Sequence, residues 1–194
     1  MRNIGDIGAA INRAKNEIDP RLWSEAGLIV TSAAATMGWI GHADAAEEAV
    51  WLTHASWLEA GDDANDPPFY VALDERAEPG VEAEWTWLAS FTGTWPGRAT
   101  MGLFVGDDRF RSNAGWKKHL RSNGAIVDAL VARGFRYDGA SGELYVPFLV
   151  ESEALAKAFE EDEFEVALQP LAAAVAIVND AHAELSALYQ LAAT

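Results

Sequence analysis

The sequence predicts an α+β fold: a single domain whose central antiparallel sheet, built on a Trp-rich hairpin, is packed with N- and C-terminal helices. Three observations lead there. Apolar residues recur at helical spacing at both ends of the chain, they alternate strictly in its middle, and neither a linker nor an internal repeat interrupts its 194 residues. The expected division is helical over 1–60, mainly strand over 69–105, helix over 114–133, hairpin over 135–149 and helical over 152–191.

At the start, Ile4, Ile7, Ile11 and Ile18 share one face of an amphipathic helix. Asp19-Pro20 is expected to end it, because the residue before proline disfavours the α region and proline suits the first turn of a new helix. Leu22, Ala26, Ile29 and Ala33 carry the next helical stripe, although Gly27 and the β-branched run Ile29-Val30-Thr31 weaken it. Asp44 and Glu47 have capping-box spacing and Gly61 suits a helix C-terminus, so 45–60 is read as helix. A strand over Val50 to Leu58 is the alternative, since Trp51, Thr53, Ala55 and Trp57 also alternate.

Gly61 to Pro68 is a loop by composition, and Phe69, Val71 and Leu73 begin the strands. Asp74 to Gly80 read as a charged turn. The central hairpin spans Glu84 to Val105. Trp85, Trp87, Ala89 and Phe91 lie on one face of its first strand, and Ala99, Met101, Leu103 and Val105 on one face of its second. Gly93-Thr94-Trp95-Pro96-Gly97 supplies the turn. Trp87 is expected to anchor the core, and Trp95, beside proline in a turn, to be the exposed contact.

Ser112 or Asn113 caps a helix from about Ala114, which Gly124 breaks and Gly134 closes. A second hairpin follows, with Pro147 placing its latter strand at an edge. Ser152-Glu153 opens a short helix, and Pro170 opens a last long one. Its stripe of Leu171, Val175, Val178, His182, Leu185 and Tyr189 is wide enough to suggest a homodimer through the C-terminal helix.

Composition excludes more than it assigns. The absence of cysteine removes disulfides, thiolate metal sites and cysteine nucleophiles, and the four histidines show no metal-ligand spacing. No metal and no cofactor is expected. The net charge of −16 opposes direct binding to nucleic acid and to anionic membranes. The first residues lack a signal peptide's apolar segment, so a soluble cytoplasmic protein is expected. The acid surplus serves solubility first, and otherwise suits a basic protein partner.

Two places hold candidate site residues. Arg109, Arg111 and Asn113 lie where a local excess of base meets a helix start, a setting for a small anion such as a phosphate or carboxylate. His54, between Trp51 and Trp57, is placed like a general base in an aromatic cleft, though satisfied packing explains it more simply. The reading favoured is a non-enzymatic binding protein for a protein partner or small anionic ligand, with Arg109, Arg111, Asn113, His54, Trp57 and Trp95 as its contact residues. The alternatives are a small-substrate enzyme using His54 with a carboxylate, and an acidic inhibitor that mimics nucleic acid.

Overall fold

In the computed structural model, which describes residues 13–77, 87–93 and 99–192, the strands form one antiparallel sheet. They are β1 (Trp39–Asp44), β2 (Ala49–His54), β3 (Phe69–Ala77), β4 (Ala99–Asp107), β5 (Arg136–Asp138) and β6 (Glu143–Pro147), in spatial order β1-β2-β3-β4-β6-β5. The helices are α1 (Asp19–Thr36), α2 (Trp87–Thr92), α3 (Asn113–Ser122), α4 (Gly124–Ala132), α5 (Ser152–Glu161), α6 (Gln169–Asp180) and α7 (His182–Ala192). The α+β class expected from the sequence is what the chain adopts.

Alternation divides the sheet into two faces. Phe69, Val71 and Leu73 of β3 pair in register with Asp107, Val105 and Leu103 of β4, and Leu103 pairs in turn with Val146 of β6. All of these residues are buried. Phe69 touches Trp57 and Tyr189, which marks this as the face under the helices. α1 lies across β1 and β2 and against α6, while α6 also reaches β4 and β6. Gly27 and Gly41 permit that close approach: a Cβ at Gly27 would stand 2.7 Å from the Ala43 Cβ, and one at Gly41 only 3.0 Å from the Thr31 backbone. The glycine that weakened the helix by propensity is therefore kept for packing.

Several local expectations are corrected by tertiary contacts. Asp19-Pro20 does not end a helix. A π-helical turn over Ala14–Ile18 runs straight into α1, because proline in the first turn needs no acceptor for the N–H it lacks. The segment 39–54 is a hairpin rather than helix. The Asp44 carboxylate accepts the Ala46 and Glu47 amides at 2.8 and 3.2 Å, so the apparent cap is an Asx-type turn between β1 and β2. The charged residues Asp74 to Arg76 extend β3, where Glu75 accepts the Ser90 hydroxyl at 2.6 Å and Arg76 pairs with Asp138 and Glu143.

The first arm of the expected central hairpin, where described, is helix α2, and β4 pairs with β3 instead. Buried Asp19 explains the change: its carboxylate accepts the Trp87 and Leu88 amides at 3.2 and 3.1 Å, capping α2 from far away in sequence. Trp85 and Trp95 lie outside the described residues.

Further along, Ser112 caps α3 and Asn123 separates α3 from α4. β6 lies inside the sheet and β5 forms the edge; Pro147 is tolerated because it is the last residue of its strand. The last helix is two, α6 and α7, bent by 59°. The break follows Asn179-Asp180, poor helix formers, with Asn179 held by the Trp39 indole N–H at 3.2 Å. Leu171, Val175, Val178, Leu185, Leu188 and Tyr189 are all buried within the chain. The chain's own sheet and helices thus cover these residues of the stripe. Among the described residues no single helix is long and apolar enough to cross a membrane.

Candidate functional site

The described residues singled out by sequence fall in two separate places, and a third candidate surface lies on the sheet. The first is an aromatic and imidazole cluster where the end of β2 meets the start of α7. His54 and His182, far apart in sequence, have ring centroids 3.9 Å apart. The His54 Nδ1 accepts the Ser56 amide at 3.2 Å and lies 2.8 Å from the Ser56 hydroxyl. The Trp57 indole N–H donates to Ser186 Oγ at 2.8 Å, and the same hydroxyl hydrogen-bonds with His182 Nε2 at 3.1 Å. Trp57 itself is fully buried, its ring against Trp39 and Phe69. It is a packing residue rather than a ligand contact.

Burial, and then the neighbouring His182, hold His54 below the ordinary histidine value of 6.5. Both effects oppose the charged form, so the folded protein binds this proton less readily than the unfolded chain. The contribution to stability is complete above about pH 6.5 and is lost as pH falls through the lowered folded value. Urea midpoints measured between about pH 8 and pH 5 should show this decline in the wild type and a shallower one in His54→Gln. Equal slopes would remove His54 as the titrating group. Chemically the cluster can relay or take up a proton, but among the described residues no carboxylate hydrogen-bonds to these two imidazoles.

The second place is the expected anion site. Arg109 is committed internally: its Nε and Nη2 form a fork on the Asp107 carboxylate at 2.8 and 2.6 Å. Its guanidinium carbon also lies 4.0 Å from the centre of the Tyr189 ring. Arg111 and Asn113 are exposed, and the free amide of Gly115 is met by the Ser112 hydroxyl at 3.3 Å. Among the described residues no three His, Asp or Glu side chains gather as metal ligands.

The third place is the sheet face turned away from the helices, which sequence reasoning passed over. Strand register lines up His42, Trp51, Ala72, Phe104 and Tyr145 across β1, β2, β3, β4 and β6. The His42 and Trp51 rings stack 4.9 Å apart, and those of Phe104 and Tyr145 stack at 4.6 Å and 8°. Glycines let these rings lie against the strands. A Cβ at Gly102 would meet Tyr145 at 2.9 Å, and one at Gly106 would meet the Tyr70 ring at 2.5 Å. Tyr145 is covered, while Trp51, Tyr70 and Phe104 are half-buried.

Around this aromatic band stand, among the described residues, Asp66, Asp74, Asp108, Asp138 and Glu143, together with the guanidinium groups of Arg76 and Arg136. Hydrogen bonds from the Ala140 amide and Ser141, together with Arg76, keep the Asp138 carboxyl below its usual range. A signal for this face was present in the sequence. Gly102, Phe104 and Gly106 alternate with the buried Met101, Leu103 and Val105, as do Tyr70, Ala72 and Asp74 with the core positions of β3. A separate apolar hollow of about 400 Å³, lined by Ile18, Leu88, Leu155 and Phe159 among others, offers no polar chemistry from those four side chains.

No family model, curated protein or solved structure matches this chain.

Proposed function

We propose that this protein is a non-enzymatic binding protein that docks a basic protein partner on the open face of its sheet. One observation carries the reading: half-buried Trp51, Tyr70 and Phe104 form an aromatic band, bordered by more carboxylates than guanidinium groups, on the face away from the helices. Aromatic side chains with few torsions supply contact area at low entropic cost, and such residues dominate interface energetics. The flanking acids, within a chain of net charge −16, supply complementarity and steering toward a positively charged surface. They also oppose nucleic acid as the occupant.

The small-anion reading loses its principal cation, because the Arg109 fork is already filled by Asp107. The enzyme reading has less support, because among the described residues no carboxylate hydrogen-bonds to His54. The test uses affinity capture followed by equilibrium binding of the purified partner to wild type and to a Trp51→Ala, Phe104→Ala double variant, with folding checked by circular dichroism. The expected partner is rich in Lys and Arg. Its affinity should fall by about tenfold or more in the variant, the scale of losing one hot-spot aromatic. It should also weaken as salt rises from about 50 to 300 mM. Unchanged affinity in the variant, or an acidic partner, would overturn the proposal.

A further inference from the structure

At one end of the aromatic band the sheet face deepens into a recess of about 230 Å³, lined by Trp51, Asn65, Asp66, Pro67, Tyr70 and Asp108. It is smaller than the roughly 300–1,000 Å³ of pockets that enclose whole small molecules, and suits a single side chain. Its chemistry is one-sided. Two aromatic side chains and two carboxylates line it, and no basic residue does.

The walls are held before anything binds. The Tyr70 ring is pressed on Gly106, and its hydroxyl donates to Asp108 Oδ1 at 3.2 Å. Burial, followed by the nearby Asp108, pushes the Tyr70 phenol up to about 12, so it remains a neutral donor. Trp51 is backed by the His42 ring at 12°. The loop wall is fixed by Asp63, whose Oδ1 accepts the Asn65 backbone and side-chain N–H groups at 2.8 and 3.1 Å and whose carbonyl accepts the Asp66 amide at 3.0 Å.

We infer that this recess receives the guanidinium group of an arginine side chain presented by the basic partner, with Trp51 and Tyr70 as the aromatic wall and Asp66 and Asp108 as the counter-charge. This rests on the docking proposed above and names its anchor. A guanidinium suits the recess better than an ammonium does, because it is planar, stacks on aromatic faces, is weakly hydrated and offers a fork to carboxylates. The pairing is also energetically directed. Both carboxylates are exposed at the rim of the recess, where the N–H fork of a guanidinium can make charge-assisted hydrogen bonds to them.

The recess can be tested without the partner. Nα-acetyl-arginine methylamide is titrated into 15N-labelled protein, with the neutral citrulline analogue and the lysine analogue as comparison probes. The arginine probe should shift the Trp51 indole and the Asn65, Asp66 and Tyr70 amide resonances saturably, in the millimolar range expected of a single side chain. The citrulline probe should leave them in place, and the lysine probe should bind more weakly. Asp66→Asn with Asp108→Asn should weaken the arginine probe by about tenfold or more, and asparagine can still accept the Tyr70 hydroxyl.

Equal shifts from citrulline, tighter binding of lysine, or shifts spread over all surface acids would overturn the inference. Its failure is separable from that of the docking surface. A silent recess together with a partner lost in the Trp51→Ala, Phe104→Ala variant would overturn the arginine anchor alone. A responsive recess with an undiminished partner would overturn the docking surface alone.

Discussion

Trp57→Ala is expected to destabilise the protein by about 3–5 kcal/mol, the range for deleting a fully buried large aromatic side chain. Trp57 is 0% exposed, and its ring meets those of Trp39 and Phe69 at 4.9 and 4.7 Å. Its indole N–H is satisfied by Ser186, so the substitution also unties β2 from α7. The cavity would open where the sheet, the turn at 55–57 and α7 meet. Urea titration measures the loss. A change below about 1 kcal/mol would mean that this corner is not part of the cooperative core. Trp87, which sequence patterning made the main anchor, is only half-buried and rests edge-on against Trp23, so the larger loss belongs to Trp57.

Asp107→Leu comes next, with an expected cost of about 3–5 kcal/mol from leaving a guanidinium without its counter-charge under α7. The Asp107 side chain is 0% exposed and that of Arg109 is 22% exposed. Arg109 cannot simply swing into solvent, because its guanidinium is seated over Tyr189. Adding Arg109→Met should recover most of the loss, since replacing both members of a buried pair by apolar groups removes the desolvation cost along with the attraction. Thermal unfolding of the two single variants and the double variant measures the coupling. Additive losses would show that the pair does not act as a unit. This engagement turns one of the clustered bases toward an acid two residues away: charge counted along a sequence ignores which acid folds onto it.

The candidate site was only partly legible for the same reason. His54 and His182 were each conspicuous alone, but their contact closes across most of the chain, and no local pattern encodes it. Trp57 stood out as a neighbour of His54, yet the helical turn at 55–57 carries it into the core. The open face was written in the alternate positions of β3 and β4, which drew less notice than the buried positions beside them.

Sequence by itself determined the α+β class, the shared face of the apolar residues on β4, a helix cap at Ser112 or Asn113, the break near Gly124 and the helix start at Pro170. Each of these depends on neighbours within a turn or two, where backbone geometry and hydrogen bonding are decided locally. Tertiary structure alone decided the rest. Asp19 caps α2 from a distant helix, so Trp87–Thr92 coils although its residues alternate. Gly27 and Gly41 let α1 approach β1, and Asp44 turns a hairpin rather than starting a helix. In these segments local preferences were nearly balanced between helix and strand. A single long-range hydrogen bond or close contact, worth about 1 kcal/mol, was enough to choose.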